Sequence, residues 1–498
     1  MSFRIDVTRS NFFKELDVLQ QKEFFDFNKC KVIPHIDTLY YTVSLEGEEF
    51  GQTSAEILDM LEFLDACKTE VQEQKDDMWL YYDEDILYRN RTFRLYNHCI
   101  GKEGYFDIFI ANKLPNQNTP RVFIQLRSIG LWTVGEYELI KESYNALMIL
   151  LNEFNIKVNE VYENRIDYCY HTNLVQNPIK FFSDDVLIHN LKSNLKVYQK
   201  VGEIAPGEIT IDYLSLGKRQ SKNIFFRTYN KVKEVINMNY KGFFIEYWFN
   251  AKLINFYDYF VYMYAYNKQN YGYIWEGMAQ FYIKYGNDIL LKEQLKSLIL
   301  NDNTTFDDMK KFVLKFMPKT THVVNIEFQT MRKFYYYGDE LIGTLPIDTE
   351  LNEIKLLRLY RIIDNRKLFL DYLTENSVCF VKDNLKDFTI LDFWKRIRSV
   401  KLTKHFKGKY VRVYPVQKID EQKIVNKLKK QLARLSIVKD NLNSDINEDM
   451  SILFGALNDN DAHINDDGIC SIIDEKYNKI KEKEKKKLKS LINKKENV

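Results

Sequence analysis

A chain of 498 residues is long enough for two or three domains and a substantial core. Its 72 basic and 70 acidic side chains leave a formal net charge of +2, which excludes global charge as a reason to bind a polyanion and confines any basic footprint to local runs. Six cysteines with no CxxC pair and no zinc spacing, a start without a signal-peptide core, and no apolar run near the roughly 20 residues that span a bilayer lead us to expect a reducing, cytoplasmic setting with no membrane anchor.

Taken in chain order, Phe12, Phe13 and Leu16 predict a short helical lead-in over 1–31. His35 to Val43, HIDTLYYTV, reads as a strand with Asp37 near its start. Ala55 to Gln72 reads as a helix, and Val122 to Trp132, VFIQLRSIGLW, as a strand carrying Gln125. Val134 to Phe154 is amphipathic, with Leu139, Tyr144, Leu147 and Leu151 as its core stripe. Asn164 to His171, NRIDYCYH, is a further strand and holds Asp167.

Leu214 to Glu234, LSLGKRQSKNIFFRTYNKVKE, is the most informative stretch. If Ile224 to Tyr229 is extended, Phe225, Arg227 and Tyr229 share one face and Lys231 continues it. A phenol with a pKa near 10 is a poor nucleophile at neutral pH, so a tyrosine that attacks phosphate needs nearby positive charge or a metal. Arg227 and Lys231 are placed to hold such a phosphate. Gly242 to Asn250, GFFIEYWFN, surrounds Glu246 with apolar neighbours and predicts a buried strand, where a carboxylate is costly unless it meets a cation, a donor or a metal.

Strands with interposed helices and no Gly-rich phosphate loop predict an α+β fold, mainly antiparallel sheet with packed helices and a helical C-terminal extension. Beyond residue 250, Glu293 to Leu300 and Phe306 to Met317 read as helices and Val323 to Met331 as a strand, and this region either extends the first sheet or opens a second domain. Trp394 to Val413 is a local basic run read as a helix end, a basic turn and a strand. Lys395, Arg396 and Arg398 in it either contact phosphates or form a solvated surface. Residues 418–498 are charged, with basic helical patterns on both sides of an Asn/Asp-rich stretch. The expected organisation is a lead-in over 1–31, a catalytic domain over 32–250, a mixed extension over 251–417 that recognises DNA, and the tail.

The block Gly217, Arg219, Ser221, then Arg227, Tyr229, Asn230, Lys231 and Glu234 resembles the active-site block of the replication-initiation-factor family. These are the tyrosine initiators of rolling-circle plasmids and phages, with related conjugative relaxases. One spacing differs, since only two residues separate Lys231 from Glu234. The Asp37, Gln125, Asp167 and Glu246 blocks follow the family's order. The resemblance implies that Tyr229 nicks one DNA strand and stays on the new 5′ phosphate, with Arg227 and Lys231 assisting and Arg219 contacting DNA. It also implies that Asp37, Asp167 and Glu246 converge from neighbouring strands on one Mg²⁺ or Mn²⁺.

For each of these carboxylates a salt bridge to a residue such as Arg165 competes with ligation. Gln125, His171 and Trp248 depart from the family pattern, and His171 reads either as a hydrogen-bonded strand-end histidine or as a ligand or proton carrier. The implied function is a replication initiator that nicks and rejoins origin DNA, single-stranded or cruciform, with a host helicase and a second copy of the chain as candidate partners. A relaxase using the same chemistry and an inactive DNA-binding regulator on the same scaffold are the rivals.

Overall fold

The computed structural model describes residues 32–410, apart from stretches at 50–51, 75–77, 80–85, 115–118, 176–189, 196, 206–207, 220–222, 239–240, 287, 337, 348–352, 384–386 and 403–408. The expected lead-in, the tail, Ser221 and most of the basic run beyond Leu402 lie outside the described residues.

The strands are β1 (Val32–Leu45), β2 (Glu48–Glu49), β3 (Gln52–Thr53), β4 (Met78–Trp79), β5 (Leu87–Tyr88), β6 (His98–Lys102), β7 (Phe106–Ile110), β8 (Val122–Leu126), β9 (Val158–Thr172), β10 (Leu191–Ser193), β11 (Val197–Ala205), β12 (Glu208–Leu216), β13 (Ile224–Asn230), β14 (Val324–Met331), β15 (Val378–Asp383) and β16 (Asp387–Ile390). Among the described residues one sheet of eleven strands runs β11-β12-β13-β14-β9-β1-β8-β7-β6-β5-β4. Every neighbouring pair in it is antiparallel. The fold is therefore α+β with a large antiparallel sheet and packed helices, as the strand and helix periodicities predict.

Side-chain alternation sorts this sheet into two unlike faces. Ile36, Leu39 and Tyr41 of β1, Ile166, Tyr168 and Tyr170 of β9, Ile326 and Phe328 of β14 and Phe226 of β13 are all buried, on the face that the helix Glu136–Glu153 covers. Tyr41 on that face shares a 2.8 Å hydrogen bond with Ser143 of the helix. Each fully buried side chain of this kind contributes roughly 1.5–3 kcal/mol, so the dry face holds the sheet together.

The opposite face is polar. Cross-strand register puts Tyr229 beside Asn325 and Asn325 beside His171, and it puts Arg227 beside Glu327. Arg165 stands beside Tyr40, Tyr40 beside Gln125 and Gln125 beside Asp107. The helix Ser128–Thr133 lies against this polar face through Trp132, whose ring stacks on His171. Gly135, with φ of 96°, then turns the chain into Glu136–Glu153 on the dry face, in backbone geometry that suits glycine.

Three expectations are corrected. Gly242 to Asn250 is the helix Phe243–Asn250 and not a strand; Phe244, Ile245 and Trp248 are buried while Glu246 is exposed. An apolar run of this length has no clear alternation to separate strand from helix, and the 100° step of a helix turns Glu246 to solvent. Val122 to Trp132 is a strand only to Leu126 and then the helix Ser128–Thr133. Finally, the boundary expected at residue 250 does not divide this sheet: of the two readings of Val323 to Met331 the first holds, since β14 lies inside the sheet between β13 and β9. All described residues belong to one compact unit that runs to Arg412. Among them no helix is long and apolar enough to cross a membrane.

Candidate active site on the polar face of the sheet

The local pattern around Tyr229 folds as its alternation predicts. Ile224–Asn230 is a strand, and Phe225, Arg227 and Tyr229 point to the polar face opposite Gln329, Glu327 and Asn325. Asn230 then caps the helix Lys231–Ile236 by accepting from the Lys233 amide at 3.2 Å. Because the helix starts at once, Lys231 stays beside the tyrosine it follows. Its Nζ lies 2.8 Å from Glu234 three residues on, and Glu234 also meets Lys241. The Tyr-Asn-Lys-x-x-Glu order is thus a strand end, a cap and an ion pair.

Two donors converge on the phenol oxygen of Tyr229: Asn325 Nδ2 at 3.0 Å and Lys231 Nζ at 3.4 Å. The guanidinium of Arg227 stands 5.4 Å from the ring centroid, and Tyr213 of β12 stacks on it at 6.1 Å. Burial pushes the phenol pKa well up and Lys231 opposes that shift. Lys231 is itself buried, but the negative charges of Asp37 and Glu234, with the hydrogen bond to Glu234, outweigh desolvation and hold it protonated. The phenol therefore rests protonated, and Lys231 and Asn325 lessen the burial cost of negative charge on its oxygen.

Asn325 and Glu327 do not stand out in the sequence. Asn325 Nδ2 donates both to Tyr229 and, at 3.0 Å, to Glu327 Oε2. Glu327 Oε1 accepts from Arg227 Nε at 2.7 Å. One buried carboxylate therefore orients both groups that flank the tyrosine. Burial pushes Glu327 up to about 7 against the pull of Arg227, and Asp167 and Asp37 raise it further. A signal is present in NIEFQ: an amide and a carboxylate two apart in a buried strand demand partners by the same logic applied to Glu246.

The three expected metal ligands do not assemble. Asp37 is the extra residue of a β-bulge, since Ile36 pairs with Tyr168 and Thr38 with the adjacent Asp167. Ser128 Oγ donates to its carboxylate at 3.2 Å. Burial would raise Asp37, but the charges of Lys231 first and then of Arg227 and Lys241 hold it well below the usual carboxylate range. Asp167 gives both oxygens to Arg165, Oδ1 at 2.8 Å from Nε and Oδ2 beside Nη2, so the salt-bridge alternative describes its state. Glu246 is exposed on its helix. The donor set Asp37, Asp167 and Glu246 therefore does not fit one Mg²⁺ or Mn²⁺. Among the described residues no group of three or more His, Cys, Asp or Glu side chains is arranged to hold a metal ion.

Two of the departures from the family pattern touch each other. Trp248 Nε1 donates to His171 Nδ1 at 3.0 Å, and His171 is fully buried. Burial, and next the Lys231 charge, keep this imidazole neutral, so its proton sits on Nε2. Trp132 lies stacked between His35 at 4.0 Å and His171 at 4.6 Å. The third departure, Gln125, donates from Nε2 to the Tyr40 hydroxyl at 2.6 Å.

The expected DNA contacts divide. Arg219 is exposed in the turn after β12, where Gly217 has φ of 80° and Gln329 Nε2 donates to the Arg219 carbonyl at 3.2 Å. That bond folds the turn over β14 on the polar face. Lys395, Arg396 and Arg398 are on the helix Asp392–Arg398, which packs through Trp394 on Phe380 of β15, a strand of a different sheet from that of Tyr229. Lys395 pairs with Asp392 at 3.1 Å and Arg398 with Glu375, while Arg396 is exposed.

No family model and no curated protein matches the chain. Among solved structures, a rolling circle replication initiator protein from Geobacillus stearothermophilus is similar at 12% identity and a TM-score of 0.34, over 74% of this chain and 96% of that one. Similarity at this level does not establish a shared fold or family.

Proposed function

We propose that this chain is a DNA strand nicking and rejoining enzyme of the rolling-circle initiator kind, with Tyr229 as its nucleophile. The observation that carries the reading is the phenol oxygen of Tyr229, held by Lys231 and Asn325 with Arg227 across its ring. In the step, the Tyr229 oxygen bonds to phosphorus, the bond from phosphorus to the 3′ oxygen breaks, and the phenol proton ends on that 3′ hydroxyl. The product is a tyrosyl 5′ phosphate and the reverse step rejoins the strand. Bond energy is conserved, so no nucleotide triphosphate is consumed. Lys231 and Asn325 stabilise charge on the attacking oxygen, and Arg227, whose guanidinium stands 5.4 Å from the ring centroid, is assigned the phosphate. No step is assigned to a divalent ion, because the expected ligands do not converge.

A second reading, a DNA-binding regulator on this scaffold without catalysis, is favoured by the buried His171–Trp248 pair and by the deep burial of Tyr229. One assay separates the two. Supercoiled DNA carrying the sequence next to the coding region is incubated with the protein, with Mg²⁺, with Mn²⁺ and with excess chelator. A covalent 5′ adduct mapped by mass to Tyr229 supports the enzyme. Retained binding with no adduct in any condition, or an adduct on Tyr266, overturns it. A double-strand origin or a transfer operon in the genetic neighbourhood would then separate replication from conjugative transfer.

A further inference from the structure

Away from Tyr229, the polar face carries a second built region that the proposed chemistry does not use. Opposite the dry face, Phe123 of β8, Phe109 of β7, Tyr96 and Cys99 form a small aromatic cluster separate from the main core, with half-buried Tyr40 and Phe93 packed at its edge. Phe93 stacks on Phe123 at 5.2 Å, and Tyr40 meets Phe123 edge-on at 5.3 Å. Around these rings stand arginines. Arg89, Arg91 and Arg127 share one buried carboxylate, Asp107; Arg89 also pairs with exposed Glu103 at 3.2 Å, while Arg91 and Arg127 remain 47% and 37% exposed. Arg94, at φ of 57° on the tip of the turn that bridges Phe93 to Tyr96, is exposed with its guanidinium 5.2 Å from the Phe93 ring.

These cations continue toward the tyrosine. Arg165 lies over the Tyr40 ring at 5.1 Å, and the charges of Arg165, Arg127 and Arg219 all act on the Tyr40 hydroxyl. Arginine thus recurs along the sheet order from β5 to β13, with aromatic rings between. Seven steps between neighbouring strands of about 4.8 Å make a track of roughly 34 Å.

We infer that single-stranded DNA lies along this face, its bases stacked on Phe93 and Tyr40 and its phosphates on Arg91, Arg94, Arg127 and Arg165, leading to Tyr229. The inference rests on the strand-transfer reading for the choice of nucleic acid. Its independent support is the interleaving of guanidinium groups with the partly buried rings of Phe93 and Tyr40, from which a base would displace the Arg94 and Arg165 guanidinium groups; this suits a strand whose bases are unpaired and not a duplex that hides them. Guanidinium groups outnumber carboxylates around Asp107, so an incoming phosphate completes the local charge balance.

The test uses the full-length Tyr229→Phe protein, which separates binding from chemistry, and a fluorescent oligothymidine titrated over a salt series. Arg91→Ala with Arg94→Ala leaves Asp107 its Arg89 and Arg127 partners. This double variant is expected to flatten the salt slope by about 1.4 units, about 0.7 for each phosphate that is no longer neutralised. Phe93→Leu keeps an apolar filler and is expected to weaken binding about fivefold or more, with an abasic strand of equal charge losing as much on the unaltered protein. Photocrosslinks from 5-iodouracil should fall on Tyr40, Phe93 or Tyr96. An unchanged slope, equal binding of the abasic strand, or crosslinks confined to residues beyond 412 would each overturn the track. Adduct formation at Tyr229 in the otherwise unaltered protein is read separately, so failure of either proposal is visible without the other.

Discussion

The two ends of the polar sheet face use charge in opposite ways. At the β13–β14–β9 end the charges balance: Arg227 with Glu327, Arg165 with Asp167, and Lys231 and Lys241 with Glu234 and the nearby charge of Asp37. At the β8–β5 end three guanidinium groups crowd Asp107; Glu103 pairs with one of them, Arg89, and the other two reach solvent. A closed network in a buried place fixes geometry and resists change. An open one offers charge to something that arrives. One face can therefore hold a rigid reaction centre and an adaptable binding surface without a domain boundary between them.

The largest effect that would test this contrast is at the centre itself. Tyr229→Phe is expected to remove covalent adduct entirely while changing stability by only about 1 kcal/mol, because Lys231 keeps Glu234 and Asn325 keeps Glu327. Gel mobility of protein–DNA adducts and a urea melt read the two quantities, and a persisting adduct would end the assignment. Next is Glu327→Ala, which strands Arg227 in a largely buried setting and is expected to cost about 3 kcal/mol in the same melt. Arg91→Ala, at the open end, is expected to stay within about 0.5 kcal/mol. Equal losses at the two sites would erase the distinction.

Protonation sharpens the comparison. Glu327 is raised from 4.5 to about 7 in the folded protein, so the fold binds this proton more tightly than the unfolded chain does. Its contribution to stability is full below about 4.5 and is lost as pH rises through about 7. Asp37 acts oppositely: its lowered pKa contributes stability above the unfolded value of 3.8 that is lost in stronger acid. Glu327→Gln is expected to flatten the stability profile between about 4.5 and 7 and to leave the acid limb in place. A profile unchanged across that window would remove Glu327 from the coupled network.

Smaller differences follow at the sites expected to bind metal. Asp167→Ala leaves Arg165 without its partner and is expected to cost about 2 kcal/mol by denaturant melt. Glu246→Ala on the exposed helix face should stay within about 0.5 kcal/mol. A large cost at Glu246 would revive its expected buried role. Smallest of all, the Lys395→Ala, Arg396→Ala, Arg398→Ala triple variant is expected to shift stability by under about 1 kcal/mol. It should flatten the salt slope of oligothymidine binding less than the Arg91 and Arg94 pair does, since Lys395 and Arg398 already have carboxylate partners. A larger flattening would move the phosphate-contacting face to this helix.

Much of the site is legible in the sequence because its signals are local. Period-two alternation alone places Arg227 and Tyr229 on one face, and the amphipathic stripe of Leu139, Leu147 and Leu151 locates the helix over the dry face. Asp167 reads as a carboxylate in need of a partner, and Arg165, weighed as that partner, is the residue it meets. Glu246 misleads because the six apolar residues among the eight of Phe243–Asn250 carry no clear period, so strand and helix are equally compatible with the run. Arg89, Arg91 and Arg94 pass unnoticed because their alternation with aromatics acquires meaning only when Phe93 folds back onto Phe123.

What the sequence by itself determined is therefore the element types with clear periodicity, the α+β class and the side chains that flank Tyr229 in the chain. Each depends on interactions between residues within a turn or two of one another. Only the tertiary structure decided which groups complete the centre. Asn325, 96 residues from Tyr229, reaches its hydroxyl because β14 inserts between β13 and β9. Trp248 reaches His171 because the Phe243–Asn250 segment coils instead of extending. Strand order and the choice between two conformations of one apolar run are set by burial of the whole dry face, a sum over distant residues that no local window contains.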